Sequence, residues 1–484
     1  MTASSFEDAP GLPILHSKDL VNWRLIGHAL PQLVPAPHFS QPRHGEGVWA
    51  PALRHHKGLF YLYYPDPDFG IYLTTATHPA GPWSSPVLVV AGKGLIDPCP
   101  LWDDDGQNYL VHAYAGSRAG IKSILAIKRL NAAGTQATSQ GVLVYDGHPH
   151  DPTVEGPKIY KYQGWYYIFA PAGGVTNGWQ IVLRSRHIYG PYERRVVMHQ
   201  GNTAVNGPHQ GAWVTTQTGQ HWFIHFQDAG AYGRIVHLQP MQFNNGWPVI
   251  GSRPNAQGIG QPVLQYTKPN VGKSWPLQTP PDTDEFNSPA LGLQWQWMAN
   301  PQATFAFCNP AAGVLRLFSQ PMPPDAQNLW MAPHLLLQKL PAPAFTATTR
   351  LKLTPNTAIP EESAGLALMG LYSAGIAITH RSGKLGLEHW QAPEAAKNTP
   401  PQQNWIANLD TGWVYLRLTV QPGAVCSFSY STNGHHFITV GQPFTAQPGR
   451  WKGAKMGIYC TRSGQTNDAG YADFDWFRVE PLQP

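Results

Sequence analysis

A chain of 484 residues with 42% hydrophobic residues can bury two sizeable cores, so two domains are the expectation. Its net charge of +5 is thinly spread, with no block of Lys or Arg, which gives no footing for a nucleic-acid or membrane-surface role. No apolar run approaches the ~20 residues that span a bilayer, and the start, MTASSFEDAP, lacks the basic and apolar regions of a signal peptide. A cytoplasmic location is the expectation. High Gly (48) and Pro (47) with 13% charged residues point to many short strands joined by tight turns. The cysteines, Cys99, Cys308, Cys426 and Cys460, form no metal-type pair and read as buried free thiols.

The chain opens on PILHSKDL (13–20) and VNWRLIG (21–27), a strand and a closing turn. A Gly-led aromatic strand then recurs four times: GLFYLYY (58–64), GQNYLVHAY (106–114), GWYYIFAP (164–171) and GQHWFIHFQ (219–227). The leading glycines are 48, 58 and 55 residues apart, near the length of a four-stranded propeller blade. Each copy is followed by a second strand: IYLTTA, SILAIKRL, QIVLRSR and RIVHLQP. The opening segment is a fifth copy of that second strand, without its Gly-aromatic partner. The expectation is a five-bladed β-propeller whose first blade is incomplete. Such a start leaves an unpaired strand edge, so the natural protein is expected to continue upstream, with Met1 an internal methionine or a boundary of the expressed segment.

Asp66 in FYLYYPDPDFGIY (60–72) joins two strands of the second blade. Flanked by Pro65 and Pro67, it reads as a turn residue.

Counting back nine residues from each leading glycine gives Trp49, Asp97 and Glu155, and counting back ten from Gly219 gives His209. Equivalent positions on the innermost strands of a propeller meet at its central channel. Two carboxylates, an imidazole and an aromatic wall are the groups that acid–base cleavage of a glycosidic bond requires. Singly, each residue is an ordinary turn acceptor or hydrogen-bonded core residue. Together, two acids buried at one place are costly unless used.

At these positions the chain resembles glycoside hydrolase family 43, the β-xylosidase and α-L-arabinofuranosidase family. The anchors are SSFEDAPGLPILHSKDLVNW, GVWAPALR, GLIDPCPLWDDDG, VEGPKIYK, NGPHQGAW and GRIVHLQPM, and they run through nearly the whole chain. The resemblance implies a five-bladed propeller and an exo-acting, inverting hydrolase of xylo-oligosaccharides or arabinofuranosyl side chains. It implies Glu155 as general acid and Asp97 as the aspartate that orients and tunes its pKa. It implies Arg234 as a substrate-binding cation and Phe6 and Trp49 as the aromatic wall. It also implies His209 as a channel residue that can hold a divalent ion, usually calcium, through water. No cofactor is needed for the chemistry. The family's general-base aspartate lies in a segment before the Ser-Ser-Phe motif. Here that motif is Ser4-Ser5-Phe6, so the segment is not among the 484 residues. Weak or absent hydrolysis is therefore expected of this chain alone.

The propeller is expected over residues 1–262 and a Pro-rich linker over 263–283. Alternating strands from 284 to 484 (QWQWMA, VLRLFS, FTATTRLKL, AGIAITH, YADFDWFRV) imply a β-sandwich, and the resemblance implies a jelly-roll of concanavalin-A type. Its loop Trp451–Lys455 is a candidate to reach the propeller mouth. The expected partner is a small oligosaccharide, with room for a homo-oligomer and without nucleic acid or membrane. The rival readings are a non-catalytic sugar-binding or regulatory propeller and a sugar phosphorylase. The latter needs a basic cluster for phosphate.

Overall fold

The computed structural model describes residues 1–410 and 412–482. Up to residue 250 the strands form five antiparallel sheets, each a meander of consecutive strands. The first has two strands, β1 (Gly11–Ser17) and β2 (Trp23–Leu30). Four four-stranded blades follow. They are β3 (Ala52–His56), β4 (Leu59–Asp66), β5 (Gly70–Ala76) and β6 (Val87–Ala91); then β7 (Leu95–Trp102), β8 (Asn108–Tyr114), β9 (Ile124–Leu130) and β10 (Val142–Asp146). The last two are β11 (Lys158–Tyr162), β12 (Trp165–Ala172), β13 (Trp179–Ser185) and β14 (Glu193–His199); then β15 (His209–Thr215), β16 (His221–Asp228), β17 (Arg234–Asn244) and β18 (Trp247–Ile250).

The repeat has a conformational cause. The glycines that lead β4, β8, β12 and β16 have φ of +79°, +79°, +73° and +84°. Each lies in the left-handed region that only Gly enters without strain. In two blades the preceding residue, Lys57 (φ +47°) or Gln163 (φ +50°), is left-handed as well. Two such residues in succession form the tight hairpin turn whose twist suits the flanking strands. The aromatic residues that follow fill the space between blades: Tyr63, Tyr167, Phe169 and Phe223 are all at most 1% exposed.

Asp66 ends β4, and its Oδ1 accepts the Asp68 amide at 3.0 Å, while its carbonyl accepts the Phe69 amide. It is therefore the capping residue of a turn. Burial pushes its carboxyl up to about 8.

The C-terminal part is a sandwich of two sheets. One consists of β19 (Gln296–Trp297), β23 (Leu336–Lys339), β32 (Lys455–Arg462), β25 (Glu361–Met369), β26 (Ser373–Arg381), β27 (Lys384–Ala392) and β28 (Gln402–Asn408) in that order, with β22 (Gln320–Pro321) beside β32. The other runs β20 (Ala306–Asn309), β21 (Val314–Phe318), β33 (Tyr471–Pro481), β24 (Phe345–Thr354), β29 (Val414–Gln421), β30 (Val425–Ser431) and β31 (Ile438–Thr445). Alternate residues such as Leu366, Ile376, Ile458, Leu416 and Phe474 close the core between the sheets. Cys99, Cys426 and Cys460 are buried and free, while Cys308 is half-buried.

The two parts meet through charge. Lys452 Nζ lies 2.6 Å from Glu7 Oε1 and 2.8 Å from Asp8 Oδ1, and Lys455 Nζ lies 2.8 Å from Asp8 Oδ2. Ala9 and Trp297 exchange backbone hydrogen bonds at 2.6 and 3.0 Å.

Candidate active site

Among the first strands of the blades, β7 packs against both β3 and β11. Two of the four first strands carry a bulge. The β7–β8 ladder slips between Ile96 and Cys99, and the β15–β16 ladder slips between His209 and Ala212. A bulge re-aims a side chain, and here the re-aimed residues are Asp97 (φ +56°) and Gln210 (φ +49°).

Asp97 is 2% exposed, and its Oδ2 accepts the Gly156 amide at 2.7 Å. Gly156 has φ +60°, and a Cβ there would come 2.9 Å from Gln210 Oε1, so the Glu-Gly-Pro turn requires glycine. Burial first, and then the charge of Glu155, push the Asp97 carboxyl up to about 6. The Gly156 and Gln210 hydrogen bonds and Lys158 oppose that rise.

Glu155 precedes β11, and its amide bonds to the Pro171 carbonyl. Its Oε1 lies 2.7 Å from His209 Nε2. The Glu155 side chain keeps 25% exposure while that of His209 is 1% exposed, so the carboxyl faces the open side of the pair. Arg234 begins β17 opposite Asp228. Its guanidinium sits 4.8 Å from the Phe226 ring and 5.8 Å from the Phe6 ring. Burial lowers its pKa, and Asp228, Glu155 and Asp97 counteract this.

Phe6 and Trp49 form the wall, with ring centroids 6.5 Å apart. Trp451 of the sandwich reaches the same wall, 6.2 Å from Trp49. The loop is held by the Ala454 amide on the Ala231 carbonyl at 2.8 Å. Arg118 covers the Trp49 ring at 5.5 Å. A cavity of about 530 Å³ has Phe6, Trp451, Arg54, Lys158, Gln210, Arg234 and Lys452 in its lining.

The structure thus brings Asp97, Glu155 and His209 together, with both carboxylates acting on the charge of Arg234 and with Phe6 and Trp49 packed edge to face nearby. Sequence reasoning missed Gln210, Arg54, Lys158 and Arg118. A signal for one was present: a strict count of nine back from Gly219 lands on Gln210.

These side chains offer a calcium ion no direct ligand set. Among the described residues no three His, Cys, Asp or Glu side chains converge as ligands. His209 Nε2 is engaged by Glu155, which leaves only its buried Nδ1 without a partner. Two further groups lining the cavity are cations, Arg54 and Lys158, and they donate to neutral atoms, Cys99 Sγ and the Gly156 carbonyl.

Residues 1–248 match the model of glycosyl hydrolases family 43, and residues 283–480 match a beta xylosidase C-terminal concanavalin A-like domain. The chain belongs to glycosyl hydrolase family 43. It is 37% identical over 463 residues to a putative beta-xylosidase of Xylanibacter ruminicola, covering 95% of this chain and 83% of that one. It is 30% identical to a beta-xylosidase of Formosa agariphila, covering 99% and 86%. A non-reducing end alpha-L-arabinofuranosidase of Bacteroides ovatus is 28% identical, covering 99% and 90%. The fold is shared with the crystal structure of xylan beta-1,4-xylosidase from Bacillus halodurans, at TM-score 0.85 and 24% identity over 99% of this chain and 95% of that one. This family 43 protein is a glycoside hydrolase built as a propeller followed by a sandwich, and no cofactor is called for by its chemistry.

Proposed function

We propose an exo-acting, inverting glycosidase of xylo-oligosaccharides or arabinofuranosyl side chains, with Glu155 as general acid and Asp97 as the carboxylate that orients and tunes it. The carboxylate pair carries this reading. Asp97 is buried against the Glu155–Gly156 backbone, Glu155 keeps a quarter of its side chain exposed beside His209, and Lys158, Gln210 and Arg234 next to them line the cavity. A second negative charge favours keeping one proton on the pair, the proton the leaving oxygen needs. Phe6 and Trp49 stack on the sugar, and Arg234 binds its hydroxyls. No step is assigned to a metal ion.

In the same reading β1 and β2 are the outer half of a fifth blade. Residues 1–262 and 284–484 are the two domains, joined by 263–283. Asp284, which exchanges backbone bonds with Phe477, supports the second boundary. The cavity is walled off by Trp451, which suits short substrate ends over long chains. Trp451 is 54% exposed, so Trp451→Ala should leave the unfolding midpoint unchanged. It should weaken xylotriose binding about 2- to 10-fold, the ~0.5–1.5 kcal/mol of an aromatic contact. Calorimetric titration measures it, and unchanged affinity would remove Trp451 from the site.

The family's base segment is not among residues 1–484, so we expect this chain to hydrolyse aryl xylosides and arabinosides weakly. Azide should replace the missing base and water. Its terminal nitrogen bonds to the anomeric carbon as the bond to the leaving oxygen breaks, Glu155 supplies the proton to that oxygen, and the glycosyl azide has inverted configuration. Arg54, Lys158 and Arg234 favour an anion in this cavity. Formation of that azide, followed by NMR, supports the enzyme. Family-typical hydrolysis without azide would show that a base is present after all. Tight sugar binding with neither reaction would favour the non-catalytic sugar-binding propeller.

A further inference from the structure

The cavity that Phe6 and Trp451 line carries more positive charge than cleavage of a neutral sugar calls for. Arg54, Lys158, Arg234, Lys339, Lys452 and Lys455 line it, and among the described residues Asp8 is the one carboxylate that does. Asp8 is already engaged: Oδ1 lies 2.8 Å from Lys452 Nζ and Oδ2 lies 2.8 Å from Lys455 Nζ. Arg54, Lys158 and Arg234 have no such counter-charge. Arg54 donates to the Leu53 carbonyl and to Cys99 Sγ, each at 3.0 Å. Lys158 is 5% exposed, and its Nζ reaches only the Gly156 carbonyl, at 3.4 Å. The Arg234 guanidinium sits over the Phe226 ring. Among the described residues, none of the three has a carboxylate as its hydrogen-bond or ion-pair partner.

These cations border one another and the carboxylate pair. Burial lowers the Lys158 pKa, Cys99 and Asp97 oppose this, and Arg54 lowers it further, the mark of two like charges side by side. Glu155 and Asp97 both act on Arg234. Cations held out of water without a counter-ion are costly, and an anion between them removes that cost. The cavity also offers nothing that activates water. In an inverting hydrolase a second, free carboxylate takes the proton of the attacking water, whereas both oxygens of Asp8 are held by lysines. A nucleophile that arrives as an anion needs no base.

We propose that this cavity binds inorganic phosphate and that the chain is a phosphorylase as well as a weak hydrolase, passing the terminal sugar to phosphate. The inference rests on Glu155 being the general acid. A phosphate oxygen bonds to the anomeric carbon as the bond to the leaving oxygen breaks. Glu155 gives its proton to that oxygen, and the proton left on the new phosphate ester returns to Glu155 through solvent. The products are a sugar 1-phosphate of inverted configuration and a glycoside shortened by one unit. Guanidinium groups match phosphate oxygens in pairs, and a lysine adds a point charge. Three uncompensated cations suit a dianion better than the single charge of a sugar carboxylate. The volume of about 530 Å³ falls within the ~300–1,000 Å³ of small-ligand sites. In the sequence only Arg234 marks this cluster, and β3 and β11 bring Arg54 and Lys158 to it.

The test incubates the full chain with xylobiose or methyl arabinofuranoside, in inorganic phosphate or in azide, and follows the products by phosphorus and proton NMR. A sugar 1-phosphate of inverted configuration is expected, at a rate that saturates with phosphate. Arg54→Gln and Lys158→Gln, each checked for an unchanged unfolding midpoint, should raise the KM for phosphate about 10- to 100-fold, the effect of losing a charge-assisted hydrogen bond. Calorimetric titration of the unaltered chain with phosphate gives a second readout that needs no variant. A glycosyl azide without any sugar phosphate overturns phosphorolysis and leaves Glu155 as the acid. Neither product withdraws the glycosidase reading and this inference with it. Phosphate that binds but only inhibits overturns the activity, and an ester whose KM for phosphate neither variant changes overturns the site. Faster cleavage of a glucuronate-bearing xylotriose than of xylotriose, with no ester formed, would assign the cations to a substrate carboxylate and likewise overturn the proposal.

Discussion

Glu7→Gln should destabilise the fold by about 3 kcal/mol, the low end of the cost of breaking a buried ion pair. Glu7 is fully buried between the two domains, with Lys452 at 2.6 Å, His44 at 3.1 Å and the Gly45 amide at 3.2 Å. Burial alone would raise its pKa, but Lys452 and His44 outweigh it and hold the carboxyl at about 2, against 4.5 unperturbed. A depressed folded pKa contributes stability above pH 4.5, and that stability is lost as pH falls from 4.5 to 2. The difference between 4.5 and about 2 corresponds to roughly 3 kcal/mol at most. Urea unfolding of both proteins between pH 7 and pH 3 measures it. The variant should be weaker at pH 7, and the gap should close on acidification. A constant gap would mean that shape, not charge, is what Glu7 supplies. Lys455 instead costs stability at neutral pH, although its pH slope has the same sign. Burial brings it down to about 8, so the folded state gains stability as pH rises from 8 toward 10.5, where the unfolded chain still binds the proton. The interface therefore combines one acid that stabilises at neutral pH and one lysine that tolerates charge only because Asp8 lies 2.8 Å away.

The blades were legible because their turns impose glycine. A left-handed residue at the head of β4, β8, β12 and β16 leaves a mark that any repeat search finds. Counting from that mark found Asp97, Glu155 and His209, since inner strands of similar length end near one axis. It did not find Gln210 as a neighbour of Asp97, because a bulge moves a residue without changing the residue types around it. Arg54 and Lys158 were hidden for another reason. A lone cation on a strand, as in ALRHH or at the head of KIYKY, reads as an outward-facing residue, and only the assembled blades turn it toward a cavity. In the sandwich, β27, β28 and β31 escaped notice. KLGLEHWQA, QQNWIAN and ITVGQPFT carry Gly, Pro or many polar residues, and β28 is an edge strand with mostly exposed residues. Edge strands need little apolar patterning, so alternation gives no warning of them. The Trp451 loop was legible only as a candidate, since nothing local fixes its distance from Trp49. The contact depends on the Glu7, Asp8 and Lys452 network, 444 residues apart in sequence between Asp8 and Lys452.

Glu155→Gln should slow cleavage of poor leaving groups by about 10²–10⁴-fold, the usual share of a general acid. The reaction is best followed with azide as acceptor, so that the rate reports on the proton donor and not on a base. A methyl or alkyl xyloside leaves as a poor anion and needs the proton of Glu155. A dinitrophenyl xyloside leaves unaided, and its rate should change little. An equal loss on both substrates would mean that Glu155 positions the sugar and does not protonate it. Asp97→Asn separates the second role. Asp97 is buried, hydrogen-bonded to the Gly156 amide and raised to about 6 by burial and by Glu155. Asn keeps the shape and removes the charge that helps the pair retain its proton. The alkaline limb of the pH–rate profile for the poor leaving group should move to lower pH, because the second negative charge beside the acid is gone. A profile that stays in place while the rate falls at every pH would leave Asp97 as a positioning residue only. Because Asp97 reaches Glu155 through one backbone amide, loss of that hydrogen bond and loss of the charge are distinguishable only by this shift, not by the rate alone.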